Sequence, residues 1–174
     1  MWGTMISAKL LEIMQQAKLP VDFVWCSYEA ATCWAVIAID IVKLAALKTH
    51  ASDFAAQIAQ VVFNSHAGYL IPKLILVSND IDFSDINQVV WALATRSHPA
   101  RDHFIFPAIK EFPMVPYLNH GDKILGCGGK AIINCLLAEQ YDGKMHATTA
   151  CFQHSYPKSI KNKVLTNWKN YGFR

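Results

Sequence analysis

The feature that most constrains this chain is an alternation of short runs rich in Val and Ile with segments whose apolar residues recur at helical spacing. Val21–Cys26 and residues 32–39 are strand-like, and the run 73–77 is an uninterrupted apolar stretch of the kind buried inside a sheet. Between them, Ile6, Leu10, Ile13 and Met14 share a helical face that stops at Pro20. Phe54, Ile58, Val61 and Val62 share a second face, with Ser52 as its cap. Ile86, Val89, Val90 and Leu93 form a third, with Ser84 or Asp82 as cap and the His98-Pro99 break as its end. This alternation predicts an α/β fold. Three prolines, Pro107, Pro113 and Pro116, make 104–117 an extended, structured loop rather than a regular interior strand. Gly126, Gly128 and Gly129 then open into a strand over 131–137. A closing helix starts near Ser155-Tyr156-Pro157, buries Ile160, Val164, Leu165 and Trp168, and meets a stop signal at Gly172. No repeat, low-complexity tract or interior linker divides the 174 residues, so one domain over 1–174 is expected.

Charged residues make up only 17% of the chain, against roughly 25% in an average globular protein, which points to self-association or a partner. Lys158, Lys161, Lys163 and Lys169 read as the solvated face of the last helix, not as a nucleic-acid site. The five cysteines, Cys26, Cys33, Cys127, Cys135 and Cys151, contain no CxxC pair and suit a reducing, cytoplasmic setting. Lys9, Glu12 and Gln15 interrupt the first apolar stretch, and the run 30–39 is too short for a bilayer, so neither signal peptide nor membrane span is expected.

Several local patterns lack a partner that their chemistry requires. Gly126-Cys-Gly-Gly-Lys130 has Ala131 where a phosphate loop needs Ser or Thr, and reads as a tight turn into a strand. Asp80, Asp82 and Asp85 lack the glycine and glutamate of a calcium loop, and read as a strand end and a helix cap. The seven histidines show no HxxxH or HxH spacing for a metal, and nothing beside Cys127 marks a base to activate it.

Four stretches are more specific: Phe63-Asn-Ser-His-Ala-Gly-Tyr69; the run from Pro72 through Asp82 continuing to Trp91-Ala-Leu-Ala-Thr-Arg96; Phe112-Pro-Met-Val-Pro-Tyr-Leu118 with His120-Gly121; and Gly128-Gly-Lys130. With the ending Asn167-Trp-Lys-Asn-Tyr-Gly-Phe173, they resemble the C-terminal region of UbiD-family decarboxylases, most closely the fungal ferulic (cinnamic) acid decarboxylase group, over essentially the whole chain. The resemblance implies a single α/β domain with a mixed central sheet flanked by helices, which forms a homodimer and packs on a preceding cofactor domain. In the family that domain binds prenylated flavin with a divalent metal and potassium, and supplies a catalytic arginine and two glutamates. The chain is expected to begin just past that region, and its glutamates Glu12, Glu29, Glu111 and Glu139 match none of those motifs. It is therefore expected to bind no flavin itself, and to lack the electron sink that decarboxylation needs.

The resemblance also implies a substrate wall at Tyr69, Leu70, Phe112, Pro113 and Met114, with Leu70 in place of the family's threonine and Met114 in place of a leucine or isoleucine. Two function classes follow. One is a detached domain serving oligomerisation and pocket formation, with a separate cofactor-domain chain as its partner. The other is a repurposed, flavin-independent isomerase or cyclase for a small unsaturated or aromatic metabolite, with His66, Tyr69, His120 and Lys130 as acid-base candidates. In either, the expected ligand is small and apolar or aromatic.

Overall fold

In the computed structural model, residues 2–141 and 152–172 are described, and they fall in two compact units that span residues 1–144 and 145–174. The first unit runs α1 (Trp2–Gln16), β1 (Val21–Cys26), β2 (Trp34–Ile39), α2 (Ile41–Leu47), α3 (Ala51–Phe63), α4 (His66–Tyr69), β3 (Lys73–Ser78), α5 (Ile86–Arg96), β4 (His103–Lys110), α6 (His120–Leu125), β5 (Cys127–Asn134) and α7 (Ala138–Tyr141).

Its five strands form one mixed sheet in the order β1-β2-β3-β5-β4. The three central strands β2, β3 and β5 are parallel, and the two edge strands are antiparallel to their neighbours. The apolar runs explain this placement, since strands without alternation must be covered on both faces. Successive residues sort to opposite sides: Ala35, Ile37, Ile39, Leu74 and Leu76 join one core, and Val36, Ala38, Ile75 and Val77 join the other. The first core is closed by Leu10 and Met14 of α1, Leu44 of α2 and Phe54, Ile58 and Val62 of α3. Val89 and Ala92 of α5 close the second. Ser7 ties α1 to the sheet, because its hydroxyl accepts from the Cys26 amide at 2.9 Å and donates to the Gly3 carbonyl at 2.8 Å.

Several local expectations change. Residues 103–110 are a strand, not a loop: Pro107 falls where the register shifts between Phe106 and Ile109, on an edge strand, where a missing N–H costs no ladder bond. The cap of α3 is His50, which makes no side-chain bond, and Ser52 lies inside the first turn. Asp85 caps α5 by accepting from the Asn87 amide at 2.9 Å, while Asp82 closes the turn before it by accepting from Ser84. Val90 of α5 is exposed, and the buried face of that helix passes through Val89, Ala92 and Arg96.

The strand expected over 131–137 begins earlier, at Cys127, because 120–125 form a helix that Gly126 ends in the left-handed conformation, φ 66°. The second unit holds α8 (Phe152–Ser155), α9 (Lys158–Thr166) and a 3-10 turn over Trp168–Tyr171 closed by Gly172 at φ 85°. Its expected apolar face is not buried: Ile160, Leu165 and Trp168 are exposed and Val164 is only half-buried. A segment of this size has too little surface to close a core of its own. Among the described residues no helix is long and apolar enough to cross a membrane.

Candidate functional site

The site is built on a double reversal after α3. Asn64 Nδ2 donates to the Gln60 carbonyl at 2.9 Å, and the Ser65 hydroxyl donates to the Val62 carbonyl at 2.7 Å while accepting from the Gly68 amide at 2.9 Å. This folds the four-residue α4 back on the end of α3. Only glycine fits at position 68, because a Cβ there would overlap the Val62 carbonyl.

So short a helix leaves its last carbonyls without intrahelical donors. Lys130 of β5 supplies them: its fully buried Nζ donates to the carbonyls of Gly68 at 2.6 Å, Tyr69 at 3.2 Å and Ile71 at 3.0 Å. All three protons of the ammonium are used. The Phe63 ring lies 5.3 Å from the same Nζ and meets Phe106 edge-on at 5.6 Å. Burial pulls the Lys130 ammonium down to about 8, with the Glu111 carboxylate opposing the fall, so the group keeps its proton at neutral pH.

Glu111 is itself buried, just past the end of β4. Its Oε1 accepts from the Tyr117 hydroxyl at 2.5 Å, while its Oε2 has no hydrogen-bond partner among the described residues and lies against Gly128, where a Cβ would overlap it. Burial, followed by the Glu111 contact, holds the Tyr117 phenol well above the ordinary tyrosine value. The two buried charges thus sit behind the two segments that carry the aromatic wall. Lys130 holds the backbone at Tyr69, and Glu111 immediately precedes Phe112.

In front of them, the Tyr69 and Phe112 rings meet edge-on with centroids 5.8 Å apart. A cleft of about 460 Å³ opens beside Tyr69, lined by Phe63, Asn64, Ser65, His66, Tyr69 and Lys110. Lys110 Nζ lies 5.8 Å from the centre of the Tyr69 ring. The structure therefore brings His66 and Tyr69 to one cleft and sets Phe112 against Tyr69. Leu70 is half-buried and Pro113 and Met114 are exposed, and none of the three lines this cleft. His120 is the exposed first residue of α6 and Lys130 is enclosed behind Phe63, so neither lines it.

Lys110 is the residue that sequence reasoning missed. The extra residue at Pro107 and Ala108 shifts the register by one, and a one-residue shift decides which face a strand side chain takes. Proline at that point was the only available signal, and it does not say which way the strand resumes. Among the described residues no three His, Cys, Asp or Glu side chains converge to hold a metal ion.

Residues 1–135 match the family model described as the 3-octaprenyl-4-hydroxybenzoate carboxy-lyase C-terminal domain, UbiD_C. The chain is 62% identical over 172 residues to the pyrrole-2-carboxylic acid decarboxylase of Pseudomonas aeruginosa, covering 99% of this chain and 35% of that protein. It is 31% identical to ferulic acid decarboxylase 1 of Saccharomyces cerevisiae, covering 99% of this chain and 34% of that one. Among solved structures, the closed form of vanillic acid decarboxylase from Sedimentibacter hydroxybenzoicus superposes with a TM-score of 0.66 at 20% identity, over 95% of this chain and 31% of its own. The chain thus spans about a third of the length of the curated relatives it matches.

Proposed function

Because the chain belongs to the UbiD family of decarboxylases, as its C-terminal domain, we propose that it forms the substrate wall and the oligomer contact of a UbiD-type decarboxylase acting on aromatic or unsaturated acids. The observation that carries this is the Tyr69–Phe112 edge-on pair beside an aromatic-floored cleft, held from behind by Lys130. Two buried charges and a glycine that tolerates no substituent are more than a surface turn needs. They fix the position of two rings that otherwise face outward. The 62% identity to the pyrrole-2-carboxylic acid decarboxylase of Pseudomonas aeruginosa favours a small heteroaromatic acid over a long cinnamic one.

We assign the prenylated flavin to a separate domain, which supplies the electron sink for loss of carbon dioxide when it is bound. In support, the polar groups of the cleft are an amide, a hydroxyl, an imidazole, a phenol and an ammonium, with no carboxylate among them that would hold a divalent metal. What this chain contributes is orientation and exclusion of water around a planar ring.

The test is reconstitution. The chain is mixed with a separately produced, flavin-loaded cofactor domain of a relative, and carbon dioxide release is followed from pyrrole-2-carboxylate and from cinnamate. Turnover with both components and with neither alone is expected, and Phe112→Ala costs a bound aromatic acid roughly 1–3 kcal/mol of affinity. Failure of the two components to associate overturns the proposal. Isomerisation or cyclisation of an unsaturated acid by the chain alone, sensitive to His66→Ala, would establish the flavin-independent reading instead.

A further inference from the structure

Residues 111–118 leave the sheet after β4 and belong to none of its ladders. Two turns close within them: the Val115 amide donates to the Phe112 carbonyl at 3.1 Å, and the Leu118 amide to the Val115 carbonyl at 3.2 Å. Val115 and Leu118 are buried, whereas Pro113, Met114 and Pro116 are exposed. A few side chains therefore pin this segment, and Glu111 and Tyr117 are the pair that brackets its head. The Tyr117 hydroxyl donates to Glu111 Oε1 at 2.5 Å and lies 3.2 Å from the Gly129 carbonyl of β5. Lys73 of β3 sets its ammonium 5.3 Å from the centre of the Tyr117 ring. Gly128 makes room beneath, since a Cβ there would come within 2.0 Å of Glu111 Oε2 and 2.8 Å of the Leu118 side chain. Tyr117 is itself 47% exposed, while Glu111 is only 1% exposed. Water would satisfy a half-exposed phenol, so a carboxylate buried under it, at the cost of desolvation, serves something other than the hydroxyl.

We infer that Tyr117 is a positioning residue for the aromatic wall: its hydrogen bond to Glu111 latches residues 111–117 into a closed loop, and that loop holds Phe112 edge-on against Tyr69. The inference rests on the reading of Tyr69 and Phe112 as the substrate wall, and it adds the latch that sets the wall in place. A bond between the flanking residues removes freedom from the five residues it encloses, 112–116, and two of those, Pro113 and Pro116, already have a fixed φ. Phe112 follows Glu111 directly, so a carboxylate held by Tyr117 sets the backbone from which the Phe112 side chain projects. The acceptor is a carboxylate, which makes this bond stronger than one between neutral groups.

The test removes one oxygen atom. Tyr117→Phe keeps the ring over Lys73 and loses the hydroxyl. In the isotope-labelled chain the nuclear Overhauser contact between the Phe112 and Tyr69 ring protons is expected to disappear, while the amide signals of β2 and β3 stay in place and show a folded sheet. Glu111→Gln retains the contact, because the amide oxygen still accepts from the phenol. In the decarboxylase reconstituted with a cofactor domain, Tyr117→Phe is expected to raise KM for an aromatic acid about fivefold, whereas a loss of folded protein lowers apparent kcat and leaves KM alone. Persistence of the Phe112–Tyr69 contact in Tyr117→Phe, or its loss in Glu111→Gln, overturns the latch. If Tyr117→Phe does not fold, Gly128→Ala decides, since it displaces the carboxylate and keeps both partners: a lost contact supports the latch and a retained one overturns it. A lost contact with KM unchanged leaves the latch standing and sinks the reading of these rings as a substrate wall. The ring contact is measured on the chain alone, so a failed reconstitution does not touch it.

Discussion

Lys130 and Gly68 do at the residue scale what a longer helix would do by itself: one supplies donors to carbonyls that α4 is too short to satisfy, and the other lets the chain pass close enough for that to happen. Lys130→Met leaves three buried carbonyls without their donor and Glu111 without its neighbouring cation, and is expected to cost about 3 kcal/mol in urea unfolding. Lys130→Arg does not rescue it, since a planar fork cannot present three donors to one turn. Gly68→Ala is expected to destabilise by a similar amount, about 3 kcal/mol, because the obstacle is the backbone carbonyl of Val62 and not a side chain that can move aside. If either variant unfolds at the midpoint of the parent chain, the turn is not the fixed support described above. The spacing of residue types places Gly68 and Lys130 in stretches worth attention, but their contact spans 62 positions and only the folded chain brings it about.

At the scale of elements, α5 is joined to the end of β3 by charge as well as by packing. Arg96 donates from Nη1 to Asp80 Oδ1 at 3.0 Å and from Nη2 to Oδ2 at 2.5 Å, and also to the Ser78 hydroxyl, with its guanidinium over the Trp91 ring. Burial raises the Asp80 carboxyl, but the bonds from Arg96 and Ser78 together outweigh it and leave the group below its ordinary value of 3.8. A depressed carboxyl stabilises the fold above its unfolded value, and that contribution is lost as pH falls through the folded value, so the window lies below about pH 4. Asp80→Asn is expected to cost about 1–2 kcal/mol at pH 7, less than a fully buried pair because the Asp80 side chain stays 34% exposed. Chemical unfolding of parent and variant at pH 7 and pH 3 should show the gap narrowing at the lower pH, and a gap of constant size would count against the ion pair. The sequence reads Asp80 as a strand end, but the strand stops two residues earlier, at Ser78, and Asp80 lies in the turn that follows the buried run. Its partner sixteen residues on depends on how α5 turns back over the sheet.

At the scale of the whole molecule, exposed apolar side chains collect on the connection between β4 and β5. Met114 is 77% exposed, Ile124 72% and Leu125 74%, and α6 has no buried residue. With so few charges in the chain, a surface of this kind suits contact with another protein surface. Light scattering across a concentration series is expected to give a dimer, and Ile124→Asp with Leu125→Asp to shift it toward monomer without lowering the unfolding midpoint of a dilute sample. A strict monomer at high micromolar concentration would remove the oligomer contact from the proposed function. By itself, the sequence determined the α/β class and the helical faces of α1 and α3, because burial periodicity is a local property written residue by residue, whereas the buried face of α5 turned to Val89, Ala92 and Arg96. It also located the stretches that carry Tyr69 and Phe112. Tertiary structure alone decided that these two rings meet, that Lys130 lies behind them as a structural cation and not in the cleft, and that Lys110 lines it. The reason is physical: strand order, a one-residue bulge and the reach of a buried side chain all depend on pairings between distant segments, which no local pattern encodes.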